Sequence, residues 1–85
     1  MQAFLDAFDA LPKGVFAGQS HGRRYVVTRQ VSGSVQKLVA EELGGSDYIS
    51  LNLYRLASGA RIKPCEMPEQ KVVDFVLNLT VSGRM

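Results

Sequence analysis

Two groups of residues in this chain have the types and spacing that chemistry or recognition needs. The first is Lys63-Pro64-Cys65-Glu66-Met67-Pro68, where the lone cysteine stands between two prolines just ahead of a helix-forming stretch. A thiol at a helix N-terminus is favoured as its thiolate, because the helix end carries partial positive charge. His21, the single histidine, is the natural choice for its base. That pairing needs two distant positions to meet, and nothing in the sequence demands it. In the plainer reading, adopted here, Cys65 is a small buried filler and the prolines fix a strand-to-helix corner.

Other catalytic or ligand-holding arrangements are missing. One histidine and one cysteine give no recognised zinc spacing. The GxxxxGK[ST] and GxGxxG phosphate loops are absent, and Gly14-Val15-Phe16-Ala17-Gly18 and Gly44-Gly45 replace neither. No Ser/His/Asp set or paired carboxylate stands out, and Glu41-Glu42 reads as a solvated element end. The chain is therefore expected to be non-enzymatic, with no metal and no cofactor.

The second group lies on the stretch Tyr48-Ile49-Ser50-Leu51-Asn52-Leu53-Tyr54-Arg55-Leu56. Ile49, Leu51 and Leu53 alternate with Tyr48, Ser50, Asn52 and Tyr54, the period of a half-buried strand. One face wants a core; the other offers two aromatics and two small polar groups. Acids are absent between Tyr48 and Cys65, while Arg55, Arg61 and Lys63 are present. Lys13, Arg23, Arg24 and Arg29 fill a second acid-free stretch from Lys13 to Gln30. Aromatics interleaved with Arg and Lys on an open sheet suit single-stranded nucleic acid, whose bases stack on rings while cations track phosphates. The candidate binding face is Tyr48, Asn52, Tyr54, Arg61, Lys63 and Arg24. The same residues also fit ordinary packing and edge protection, so a protein partner or self-association is the alternative.

These residues need elements to hold them. Gln2 to Leu11 reads as a short amphipathic helix, with Phe4, Leu5, Phe8 and Leu11 on one side, stopped by Pro12 and Gly14. Lys13 to Gly22 fits either of two assignments: Val15-Phe16-Ala17 suits a brief strand, while Gly14, Gly18, Ser20 and Gly22 argue for loop. Arg24 to Val31 is a strand whose Tyr25, Val27 and Val31 share a face, with Arg29 out of pattern. Val35 to Leu43 fits a helix by local spacing. The three-residue turn Ser32-Gly33-Ser34 and the need for a sheet neighbour instead favour a strand, which is the expectation. Arg61 to Cys65 returns antiparallel to the Tyr48 strand, near an edge because Pro64 cannot donate. Pro68 opens a helix with Val72, Val73, Val76 and Leu79 inward and Phe75 flanking. Ser82 to Met85 reads as a frayed tail.

The predicted fold is one α+β domain over residues 1–85. An antiparallel sheet of three to four strands carries the N- and C-terminal helices on one face, in the order α-β-β-β-β-α. With Val35–Glu42 as a strand, the run from Arg24 onward is similar in element order to the small Whirly and PUR single-stranded-DNA-binding domains. The basic–aromatic strand start Gly22-Arg23-Arg24-Tyr25-Val26 adds to that likeness. The resemblance implies single-stranded DNA on the sheet; being one of order, it carries no residue roles.

Composition bounds the rest. Eighty-five residues with net charge +2 and 46% hydrophobic content describe one small globular unit, far from a strongly basic chain. A chain this short buries only about 60% of its unfolded surface, so dimerisation is a natural way to bury more. One cysteine forms no internal disulfide, which suits a reducing, cytoplasmic setting. The N-terminus lacks the basic start of a secretory signal, and no run approaches the ~18 apolar residues of a membrane span.

Overall fold

The computed structural model describes residues 1–84, with Arg84 by its backbone alone. Helix α1 (Gln2–Asp9) is followed by β1 (Gly14–Ser20), β2 (Arg23–Ser32), β3 (Val35–Glu42), β4 (Tyr48–Leu56) and β5 (Gly59–Pro64). Helix α2 (Glu69–Leu77) and β6 (Thr80–Arg84) complete the chain. The strands form one six-stranded sheet in the order β5-β4-β3-β2-β1-β6, antiparallel at every pairing. Strands β1 to β5 form a meander, and α2 carries the chain back so that β6 adds to the far side of β1.

Alternation fixes the faces, because successive strand side chains point to opposite sides. Phe16 and Ser20 on β1, Tyr25, Val27 and Arg29 on β2, and Leu38 and Ala40 on β3 are buried. Ile49, Leu51 and Leu53 on β4 and Ile62 on β5 continue the same inner face. Phe4 and Phe8 of α1 and Val72, Phe75 and Val76 of α2 close over it in one core. Burying each such side chain contributes about 1.5–3 kcal/mol. That core is what holds two helices too short to persist alone.

Arg29 occupies an inner-face position where an aliphatic is expected, and it is only 5% exposed. Its guanidinium lies 4.9 Å from the centroid of the Phe8 ring. Nη1 donates to the Leu11 carbonyl at 2.7 Å, and Nη2 donates to Gln36 Oε1 at 2.9 Å. Asp9 supplies a carboxylate at 4.0 Å and also pairs with Arg55. Burial pushes the Arg29 pKa down, while Asp9 opposes that shift. A charge in the core is tolerable only when paired and hydrogen-bonded in this way. One side chain thereby fixes the end of α1 to the middle of the sheet.

The α+β class, the two terminal helices and the strand over Val35–Glu42 are as the sequence predicts. The strand count is not: six strands replace the three to four expected. The Lys13–Gly22 segment, open between a brief strand and loop in the sequence, contains the seven-residue β1. Its Gly18 is closely approached: a Cβ there would lie 2.8 Å from Leu79 Cδ1 and 3.1 Å from the Thr80 carbonyl oxygen, so a larger residue would make both give way. Residues Ser82 to Arg84, expected to fray, belong to β6, paired to β1 with a bulge beside Ala17 and Gly18. Met85, the remainder of that expected tail, lies outside the described residues. In the second helix Pro68 is the N-cap rather than a first-turn residue, Phe75 is core rather than flank, and Leu79 lies beyond the helix end. Val31, expected inward, is 41% exposed, and Arg29 takes the buried place. Among the described residues, no helix is long and apolar enough to cross a membrane.

Arg29→Ala removes a charged hydrogen-bond donor and the cation over Phe8 and leaves a cavity. It is expected to destabilise the fold by about 3 kcal/mol, read from urea unfolding.

Candidate functional site

The helices cover one face of the sheet, and the register of the strands orders the side chains on the other. Lys63, Asn52 and Lys37 sit opposite one another on β5, β4 and β3, and Gln30 of β2 continues the row. The next row outward is Arg61, Tyr54, Val35 and Ser32. Lys37, Arg61 and Lys63 are exposed, and Asn52 and Tyr54 are half-buried between them. Neighbouring strands lie about 4.8 Å apart, so these groups form one contiguous corner of the open face.

Among the described residues no carboxylate forms an ion pair with these cations, and Glu69 lines a hollow beside Arg61 and Lys63 without pairing with either. The ion pairs among the described residues engage Arg23, Arg29, Arg55 and Lys71, and Lys37, Arg61 and Lys63 take part in none. Four of the six residues expected to bind therefore come together: Asn52, Tyr54, Arg61 and Lys63. Lys37 joins them; the sequence reading missed it because its place depends on the pairing of β3 with β4. The remaining two lie elsewhere. Tyr48 is 45% exposed but six residues along β4 from Tyr54, and its cross-strand neighbour is Glu41. Arg24 is opposite Gln19 near the far end of β2, six residues from Gln30. At about 3.3 Å per residue, each is some 20 Å from the corner along its strand.

Between the two ends the open face carries small, uncharged side chains. Val15, Thr28, Val39 and Ser50 form one row across β1 to β4, and Ala17 and Val26 lie in the next. Ser50 is only 3% exposed despite pointing to the open side.

A second concavity, of about 420 Å³, lies at the β1–β2 turn against α2, lined by His21, Arg23, Tyr25, Asp47, Lys71 and Asp74 among others. The turn residues His21 (φ 53°) and Gly22 (φ 76°) both adopt the left-handed conformation that a two-residue type I′ hairpin needs. Asp47 is the hub. Tyr25 Oη donates to its Oδ2 at 2.6 Å, and Lys71 Nζ lies 2.9 Å from its Oδ1. The Asp47 backbone N–H donates to Glu42 Oε1 at 3.1 Å, and Arg23 approaches both carboxylates within 4.0 Å. Burial, then the bond to Asp47, pushes the Tyr25 hydroxyl up to about 12. The Tyr25 hydrogen bond, followed by Lys71, holds the Asp47 carboxyl below its usual range against burial. Acids and bases here are spent on one another. The arrangement pins the loop between β3 and β4 to α2; His21 and Asp74, on the rim of the same concavity, take part in none of these ion pairs.

His21 and Cys65 do not meet. His21 is at the β1–β2 turn and Cys65 follows β5, three to four strand spacings apart in the sheet order, ~14–19 Å across the sheet alone. Cys65 is half-buried, and its N–H donates to the Ser50 carbonyl at 3.0 Å, prolonging the β5 ladder. Glu66, at φ 58°, then turns the chain towards α2. Among the described residues, no cluster of three or more His, Cys, Asp or Glu side chains is placed to hold a metal ion.

In comparisons with known proteins, no family model, no curated protein and no solved structure matches this chain. From Arg23 onward the chain runs through four strands and a helix, and no solved structure or family model supports the expected likeness to Whirly and PUR domains. Strands β1 and β6 extend the sheet beyond that order.

The Asp47 hub makes stability depend on pH at both extremes. Asp47, depressed in the fold, contributes stability above its unfolded pKa of about 3.9 that is lost as pH falls through the lower folded value. Tyr25, raised in the fold, contributes below about 10, and that contribution is lost as pH rises through about 12. Tyr25→Phe should remove the tyrosinate absorbance step near 12. It should also cost about 1–2 kcal/mol in neutral urea unfolding and reduce the acid-side loss.

Proposed function

We propose that this chain is a non-catalytic binding module that takes single-stranded nucleic acid on the open face of its sheet. The observation that supports this is the uncompensated cation cluster Lys37, Arg61 and Lys63 gathered around Tyr54 and Asn52. Cations without carboxylate partners are available to phosphates, and a half-exposed tyrosine among them offers a surface on which a base can stack. Stacking contributes about 1–3 kcal/mol per base, so one tyrosine and three cations imply modest, salt-sensitive affinity. The free Cys65 suits a reducing, cytoplasmic setting.

A second reading rests on the centre of the same face. Val15, Val26 and Val39, with Thr28 between them, are a patch of mainly apolar groups that no element among the described residues covers. A protein partner or a second copy can use it. In that case sedimentation shows a dimer or complex that Val39→Glu dissolves, with no response to oligonucleotides.

Fluorescence anisotropy with labelled single-stranded oligonucleotides separates the two. The wild-type chain is expected to bind at low ionic strength and to weaken as salt rises. The Tyr54→Ala/Lys63→Ala double variant should bind at least about tenfold more weakly, a loss of about 1.4 kcal/mol. No change in anisotropy for the wild type at low ionic strength refutes the reading.

A further inference from the structure

We infer that the nucleic-acid strand crosses the sheet at right angles to the β-strands, from β5 towards β2, and does not run along β4 from one tyrosine to the other. This rests on the reading of the open face as a nucleic-acid surface and assigns its path. A path along β4 from Tyr54 to Tyr48 leaves the basic corner after Asn52. It passes over Ser50 and Val39, which offer no cation, and arrives beside Glu41, whose carboxylate repels phosphate. Arg24, in the row beyond Glu41, stands behind that acid on β2.

The crossing path meets the opposite sequence of groups. Lys63, Asn52, Lys37 and Gln30 succeed one another on adjacent strands, spanning about 14 Å at the usual strand spacing. Lys63 and Lys37, two strands apart, hold phosphates about 10 Å from each other, and Asn52 and Gln30 supply amide donors and acceptors beside them. Arg61 and Tyr54 run parallel in the neighbouring row, so the ring lies alongside the backbone path where a base can turn onto it. Lys37 is then the cation on which the path depends. Tyr48 and Arg24, which the sequence pattern groups with the others, fall outside it.

The footprint is short and contains three cations. For single strands each neutralised phosphate contributes about −0.7 to the slope of log affinity against log salt, so the slope is expected near −2. Anisotropy titrations across salt should show this slope for the wild type. Lys37→Gln is expected to lower its magnitude by about 0.7 and to weaken binding several-fold, whereas Arg24→Gln and Glu41→Gln leave slope and affinity unchanged. With oligothymidylates of increasing length, affinity should stop rising by about four nucleotides, the lower end of known single-strand site sizes. Wild-type binding that Arg24→Gln weakens and Lys37→Gln does not overturns the crossing path and leaves the binding module standing. Affinity that keeps rising well past that length also overturns it. No wild-type binding at low salt removes both.

Discussion

Two short helices can cover only one face of a six-stranded sheet, and the rest of this molecule follows from that constraint. The inner face is apolar at nearly every position because it must meet α1 and α2. Phe16, Val27, Leu38, Leu51 and Leu53 are all fully buried there. Among the described residues no helix packs on the outer face, so its side chains meet only their neighbours on the sheet. What stands on it, Lys37, Asn52, Tyr54, Arg61 and Lys63 at one corner and small uncharged groups in the middle, is available for recognition. The candidate function is a property of the uncovered layer.

Polar groups within the covered layer serve the scaffold. Arg29 spends its guanidinium on the Leu11 carbonyl, Gln36, Asp9 and the Phe8 ring, which fixes α1 over β2. Ser20 Oγ donates to the Phe75 carbonyl at 3.0 Å, attaching α2 near β1. Asp47 joins Tyr25, Lys71 and the end of β3. These contacts fix the helices at three separated points, and those of Arg29 and Asp47 draw in charge that would otherwise face solvent. The basic corner is conspicuous because it is left out of that pairing.

How much of this was legible in the sequence depended on whether a feature was local. The strand at Tyr48–Leu56 shows in its own alternation, and so do the inward faces of Ile49, Leu51 and Leu53. The strand at Val35–Glu42 was reachable only through its short turn and its need for a neighbour, since its local spacing fits a helix. Strands β1 and β6 were hidden for paired reasons. Gly18 reads as loop but is closely approached by Leu79 and Thr80, and β6 is a short edge with one bulge and no apolar alternation. Arg29 breaks the pattern of β2, and nothing nearby in sequence announces that Phe8 and Leu11 will meet it. At the candidate site, residue types on β4 and β5 pointed to four of the residues. The inclusion of Lys37, and the distance of Tyr48 and Arg24 from the corner, depend on register, which composition does not encode.

Amide chemical-shift mapping during titration with a short single-stranded oligonucleotide tests the central claim most directly. Binding on the uncovered face predicts shifts concentrated at Lys37, Asn52, Tyr54, Arg61 and Lys63, with α1, α2 and the Asp47 loop unmoved. Shifts concentrated on the helices or around Asp47, or a spectrum that does not change at low salt, would contradict it.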